Sequence, residues 1–423
     1  MEKKVTTKSK IPIYYYSNDH LHRFCITLYI KAGSMYEKNK NKGITHFWEH
    51  MIFRNINNLL DGEMKKIIDR MGAYFNASTC KEYVEVKIIA ATKHFDECAK
   101  IITMALAPFE ISKEDLDIER KRIKAEIRED NEKKSLDYFS QKIIWKNTTL
   151  ANLITGEREN IELMTVKKIK EFTSEILTPA NMFFYVTGSF TKDNINNLKR
   201  LIDRYDLQGN ATIRDNTTPI PKNFFNRDAK VKIKDEKEYC EVRFSFDFDS
   251  KKYKRAELDL LYDILFDGEC SKIFNSLSEK TGLVYSYDST LEQYNNIGNL
   301  YFSFEIKGKK ILDSIDIVIT TLKGLKKGIK DELEYVKAPY TVNADMDLDE
   351  PEKLNWIMAY ESHILEQNYK NLEERIKNYE NVSPQRMSAI VNEIFTTKNM
   401  VVTLKANKKK INSDDIKKII DKL

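Results

Sequence analysis

From residue 24, apolar and polar positions alternate in FCITLYIK. Phe24, Ile26, Leu28 and Ile30 share one face, Cys25, Thr27, Tyr29 and Lys31 share the other, and AGS ends the run. A period of two predicts a strand followed by a turn. After Gly43 the spacing lengthens to that of a helix. A second helix through EMKKIIDRM stops at Gly72, the residue type that most easily takes a left-handed C-terminal cap. AYFNAST and YVEVKIIA read as two further strands. FDECAKIITMAL reads as a helix ending before Pro108, and Ser112 with Asp115 three residues on forms a capping-box pattern that opens another. NMFFYVTGSF predicts a strand and DNINNLKRLIDRY a helix.

The pattern then breaks. Residues 208–229, QGNATIRDNTTPIPKNFFNRDA, hold Pro219 and Pro221 among Asn, Thr and Asp, and read as a linker between a first domain of 1–207 and a second of 230–423. Beyond it the order recurs: strand (YCEVRFSFDF), helix (AELDLLYDILF), helix (SKIFNSLSEK) stopping at Gly282, strand (LVYSYDST), strand (NLYFSFEI) and helix (ILDSIDIVITTLKGL). GAYFNAST at 72–79 and GLVYSYDST at 282–290 both follow a helix and precede a second strand. The halves read as a diverged duplication. Each is expected to be α+β, a mostly antiparallel sheet with helices packed on one side.

Composition agrees with two cores. The 423 residues exceed what one core usually organises, and 41% are hydrophobic. Charged residues make up 32%, but 70 basic against 65 acidic side chains leave only +5, scattered along the chain, which argues against nucleic acid as partner. The segment MEKKVTTKSKIPIYYYSND lacks the apolar run of a secretory signal, and eighteen apolar residues nowhere run together, so no membrane span and a cytoplasmic protein are expected. Five scattered cysteines without a CxxC pair (Cys25, Cys80, Cys98, Cys240, Cys270) suggest buried free thiols.

The chemistry gathers in GITHFWEHMIFRN, residues 43–55. Positions i and i+4 of a helix lie one turn apart on one face, so His46 and His50 can both aim a ring nitrogen at one ion, while Glu49 on the same face can reach a metal-bound water. This is H-x-x-E-H, which supplies two imidazoles and a general base. Two histidines on one helix face are also common without a metal. Catalytic zinc, moreover, needs a third protein ligand. The helix opening at Ser112 offers one: in ISKEDLDIERKRIKAEIRED, Leu116, Glu119, Ile123 and Glu126 fall on one core-facing stripe with Ile127 beside it. Ionised carboxylates on such a stripe are costly unless they meet a cation or a metal.

These residues resemble the pitrilysin and insulinase metallopeptidases, particularly the half-length members similar to the mitochondrial processing peptidases. The family pattern GlxHflEHmxFkg matches 43–55, and its glutamate ligand within ERxvxxxE, 76 residues after the second histidine, falls on Glu126 in ERKRIKAE. IKAGSMYEKNKNKG, MGAYFNASTCKEYV, TPANMFFYVTGSF and GECSKIFNSLSEKTGLVYS match further family segments in order. The resemblance implies zinc held by His46, His50 and Glu126, Glu49 as general base and Glu119 supporting the site from behind. It also implies an edge strand at Phe75, Asn76, Ala77 and Ser78 that binds peptide substrate by strand addition.

One departure matters. The family's second domain usually carries an arginine and, seven residues later, a tyrosine that reach the active site from the opposite half of a closed chamber. Tyr285 matches the tyrosine, but Ser278 stands at the arginine position and cannot supply its charge or its fork. Members of this length resemble half of a four-domain clamshell. The expectation is therefore a zinc endopeptidase working as a dimer, a heterodimer with a related zinc-less subunit carrying the arginine being favoured over a homodimer. The competing expectation is a non-catalytic scaffold or partner subunit of the same fold.

Overall fold

The computed structural model describes residues 1–207, 215, 217–237, 239–367, 369 and 371–423. Of the expected linker, residues 208–214 and 216 lie outside the described residues. Two compact units form, and neither is one continuous stretch. The first comprises Met1–Asn131, Asn152–Asn216 and Ala344–Asn371, and the second Glu132–Ala151, Thr217–Asn343 and Leu372–Leu423.

The first unit is built on a six-stranded sheet of β1 (Lys3–Thr6), β2 (Pro12–Ser17), β3 (Arg23–Ile30), β4 (Tyr74–Thr79), β5 (Val84–Ala91) and β6 (Met182–Gly188), in the order β1-β2-β6-β3-β5-β4. Every pairing is antiparallel except β2 with β6. Alternation along β3 works as expected: Phe24, Ile26, Leu28 and Ile30 enter the core with Phe47, Trp48 and Phe95, contributed by α1 (Ile44–Leu59) and α3 (Phe95–Thr103). Between these helices in sequence lies α2 (Met64–Met71), ended by Gly72 at φ +57°, and after them comes α4 (Lys113–Asp130), opened by the Ser112–Asp115 capping box.

The sheet is covered on both faces, not one. Cys25 and Tyr29, on the side of β3 away from α1, are fully or nearly fully buried. They lie against helix Pro351–Ala359, whose Asn355 accepts from Tyr29 Oη at 3.1 Å and donates to Tyr185 O at 3.0 Å. That helix comes from beyond the expected linker. It belongs to the first unit because both faces of β3 and β6 are too apolar to leave in water.

The second unit repeats the plan with β7 (Lys230–Asp235), β8 (Cys240–Phe248), β9 (Asp288–Gln293), β10 (Gly298–Ile306) and β11 (Met400–Ala406) in the order β7-β11-β8-β10-β9. Its single parallel pair, β7 with β11, occupies the place of β2 with β6. The shared order bears out the duplication. The exchange of cover is reciprocal: helix Leu136–Ile144, from the first half of the sequence, packs on this sheet, where Ser140 Oγ lies 2.6 Å from Thr403 Oγ1.

Two local expectations need correction. LVYSYDST is a strand only from Asp288, because the amides of Leu283 and Val284 both donate to Leu277 O and the Tyr287 hydroxyl donates to Phe266 O, so these groups cap the preceding helical turn instead of joining the ladder. Of the cysteines, Cys25 and Cys98 are buried, Cys80 and Cys240 are half-buried, and Cys270 is exposed in the turn before Ser271; all five are free thiols.

Candidate metal centre

Helix α1 starts where the chain can make a sharp entry. Gly43 sits at φ +82°, and a side chain there would strike Gly156 Cα and Thr155 O at 2.8 Å. Glu37, 4% exposed, reaches back from the preceding loop and accepts the amides of Gly43 at 2.7 Å and Thr45 at 3.0 Å, so an acidic side chain closes the positive end of the helix that carries the histidines. Burial raises the Glu37 carboxyl above its ordinary range, and the two backbone amides draw it back.

On the next turn His46 and His50 face α4, their ring centroids 4.8 Å apart. Glu126 spans them: its Oε1 lies 3.5 Å from His46 Nε2 and its Oε2 3.6 Å from His50 Nε2. Ligands held 2.0–2.2 Å from one tetrahedral ion stand about 3.4 Å from each other, so the spacing suits a single small cation. His46, His50 and Glu126 form the one group of three such side chains among the described residues whose donor atoms all lie within 4.8 Å. The donor set, two imidazoles and a carboxylate, is that of a catalytic zinc site with an open position.

The other nitrogen of His50 is held from behind. His50 Nδ1 lies 3.2 Å from Glu119 Oε2, while Glu119 Oε1 accepts from Arg54 at 2.5 Å and from Arg122 at 2.9 Å. A carboxylate behind a ligating imidazole fixes its tautomer and raises its basicity. Burial is the largest influence on His50 and pulls it down, but the bonds to Glu119 and Glu126 and the charge of Glu49 outweigh it and push it up to about 9. His46, with burial first and His50 second, is lowered to about 4. Its Nδ1 is buried without a hydrogen-bond partner.

Glu49 Oε2 accepts the Thr79 hydroxyl at 2.6 Å, and burial raises this carboxyl above its ordinary value. Thr79 is the last residue of β4, and β4 is the sheet's outermost strand, paired among the described residues with β5 alone. Phe75, Asn76, Ala77 and Ser78 therefore lie on an open edge. Tyr285 belongs to the second unit and is 95% exposed, and Ser278 lies in the helical turn Asn275–Glu279. The sequence reading missed Thr79, Arg54, Arg122 and Glu37. Two of these had a signal: Arg54 follows His50 by one turn, and Thr79 continues the alternation of Phe75 and Ala77. All six histidines, His363 included, fall in the first unit.

Comparison with known proteins gives the chain its family. The family model "Insulinase (Peptidase family M16)" matches residues 14–158, and "Peptidase M16 inactive domain" matches residues 164–340. The chain belongs to the M16 peptidase family. Over 403 residues it is 24% identical to YmxG, an uncharacterized zinc protease of Bacillus subtilis (strain 168), covering 94% of this chain and 96% of that one. To the Homo sapiens mitochondrial-processing peptidase subunit beta it is 25% identical over 177 residues, 41% of this chain and 36% of that protein. Among solved structures it resembles a protease from Helicobacter pylori (TM-score 0.86, 19% identity, 96% of this chain and 99% of that chain). It also resembles the periplasmic protease PqqL from Escherichia coli (TM-score 0.80, 15% identity, 100% of this chain and 50% of that chain). The likeness to these structures supports the M16 fold. No helix among the described residues is long and apolar enough to cross a membrane.

Proposed function

We propose that this chain is a zinc-dependent endopeptidase acting on peptides or extended polypeptide segments. His46, His50 and Glu126 would hold the metal. The observation that carries the reading is the single Glu126 carboxylate facing the Nε2 atoms of both histidines at matching distances of 3.5 and 3.6 Å. A scaffold has no physical reason to bring these three groups together beside a buried carboxylate.

Zinc bound there supplies a Lewis acid that polarises the scissile carbonyl and acidifies a water. The rest is done by the chain's own residues. Glu49, its proton affinity raised by burial and its orientation set by Thr79, takes the proton of the attacking water and later delivers it to the leaving amine. Glu119 keeps His50 in place. The open edge of β4 at Phe75–Ser78 pairs with the substrate backbone, which gives affinity with little demand on side-chain sequence.

The reading extends to a second chain. This chain spans half the length of PqqL, so a second chain would complete a closed chamber; with Ser278 in place of arginine a related zinc-less subunit carrying that arginine is the favoured partner, with Tyr285 lending its hydroxyl to substrate. Metal analysis of the purified protein should find about one zinc per chain, and Glu49→Gln should keep the metal while abolishing peptide cleavage. Native protein without zinc would defeat the proposal. Full activity of the chain purified alone would remove the heterodimer.

A further inference from the structure

Beside the metal centre lies a cavity of about 500 Å³ between the second half of α1, the start of α2 and one face of α4. Glu49 and His50 are among the residues that line it, so it adjoins the place where a bond would be cut. Phe53 and Met64 give it an apolar wall, and Arg54, Lys65 and Arg122 bring three cations from three different helices. We propose that this is a specificity pocket for a carboxylate, carried by the substrate on a residue flanking the scissile bond; the proposal rests on the peptidase reading above.

The charge count favours an anion. Two carboxylates line the cavity, Glu49 and Glu119, and both are engaged elsewhere. Glu119 takes Arg54 and Arg122 on one oxygen and His50 on the other, and Glu49 takes Thr79. Arg54 also has Asp115 at 3.8 Å from its Nε, but a guanidinium has five N–H donors in a fork, so donors remain on both arginines. Arg122 is largely exposed, and Lys65 has no ion pair among the described residues. A cleft with low-dielectric walls focuses such a field on whatever enters. An acidic side chain laid along Phe53 and Met64 brings its charge to these donors, whereas an ammonium group meets like charge. The carboxylate can come from an Asp or Glu side chain or from the substrate's own C-terminus, and the two sources are separable.

The test uses the zinc-loaded protein and a set of internally quenched decapeptides in which a single Glu or Lys is scanned across the positions flanking the cleaved bond, each made with a free and with an amidated C-terminus. At one position Glu is expected to exceed Lys in kcat/KM by roughly fivefold. Raising the salt from about 0.05 M to about 0.5 M should shrink that preference. Lys65→Glu should cut the Glu-to-Lys ratio roughly tenfold at unchanged zinc content, since Lys65 touches neither metal ligand nor base. Discrimination between free and amidated ends assigns the carboxylate to the terminus; indifference to the end assigns it to the side chain. Cleavage with neither a Glu preference at any position nor a preference for the free end, or with a preference for Lys, overturns the proposal. If no peptide is cut, the peptidase reading fails, and binding of the same peptides to the Glu49→Gln protein, followed by fluorescence anisotropy, still decides: tighter binding of the Glu series upholds the pocket, and equal binding removes it.

Discussion

Glu37 stands in the loop just before the histidine helix and takes no part in the chemistry, yet its two bonds secure the start of α1. Replacing it with alanine would leave the amides of Gly43 and Thr45, now bonded at 2.7 and 3.0 Å, inside a region where Glu37 itself is 4% exposed. An orphaned buried donor costs about 1–3 kcal/mol. Two of them, partly relieved as water enters the cavity left behind, put the loss at about 3 kcal/mol. For a unit of a little over 200 residues each kcal/mol shifts the melting temperature by about 2–4 °C, so a fall of roughly 6–12 °C is expected by calorimetry. Glu37→Gln should lie between, because its amide oxygen can take one N–H while its NH₂ group turns a donor toward the other. The frayed turn carries His46, so zinc affinity, measured by competition with a chelating dye, should fall with stability in the order Glu37→Gln, then Glu37→Ala. An alanine variant within about 1 kcal/mol of the wild type, binding zinc equally well, would refute the claim that this carboxylate sets the helix start.

Two further expectations follow from groups of opposite kind. Thr79→Val removes the hydroxyl that holds Glu49 at 2.6 Å; kcat should drop about tenfold with zinc content unchanged, and Thr79→Ser should restore it. Equal loss in the serine variant would show that β-branched packing is what matters there. Glu82, 4% exposed and with its Oε1 unpartnered, is pushed by burial from 4.5 up to about 8. Its native carboxyl keeps a proton that the unfolded chain has released, so stability is full below about pH 4.5 and is lost as pH rises towards 8. The loss is at most about 5 kcal/mol at 1.36 kcal/mol per pH unit. Denaturant midpoints at pH 5.5 and 8.5 should separate in the wild type and nearly coincide in Glu82→Gln; parallel behaviour of the two proteins would count against it.

Elements with a strong period were legible in the sequence. The β3 alternation, the Ser112–Asp115 box and the Gly72 stop all depend on neighbours within a turn or two, and all appear where expected. The fold family could be read from residues 43–55 and the stripe at Glu119 and Glu126. What could not be read is whatever depends on distant partners. Helix Pro351–Ala359 looks like any amphipathic segment until the second face of the first sheet claims it. The hydroxyl at Thr79 acquires a role only when β4 pairs with β5 beside α1.

The duplication also bears on why, among the described residues, the cluster of metal-type donors lies in one unit. In the second unit, helix Arg255–Phe266 follows β8 as α1 follows β3, and it places acidic groups four residues apart, Asp259 and Asp263, whereas α1 has His46 and His50 at that spacing. There every position is already committed. Tyr379 donates to Asp259 at 2.6 Å, Arg255 pairs with it at 2.8 Å, and Tyr340 donates to Asp263 at 2.6 Å, with the two tyrosine rings stacked 3.9 Å apart. Burial raises Asp263 to about 7, and the hydrogen bond from Tyr340 draws it part of the way back. In the first unit the equivalent face carries two imidazoles meeting a carboxylate at 3.5 and 3.6 Å, too far for good hydrogen bonds and suitably spaced for an ion between them. The same architecture thus yields a filled polar network in one copy and, in the other, a set of donors at the spacing a small cation takes. Thr79, the last residue of the edge strand β4, ties that strand to Glu49, the proposed base.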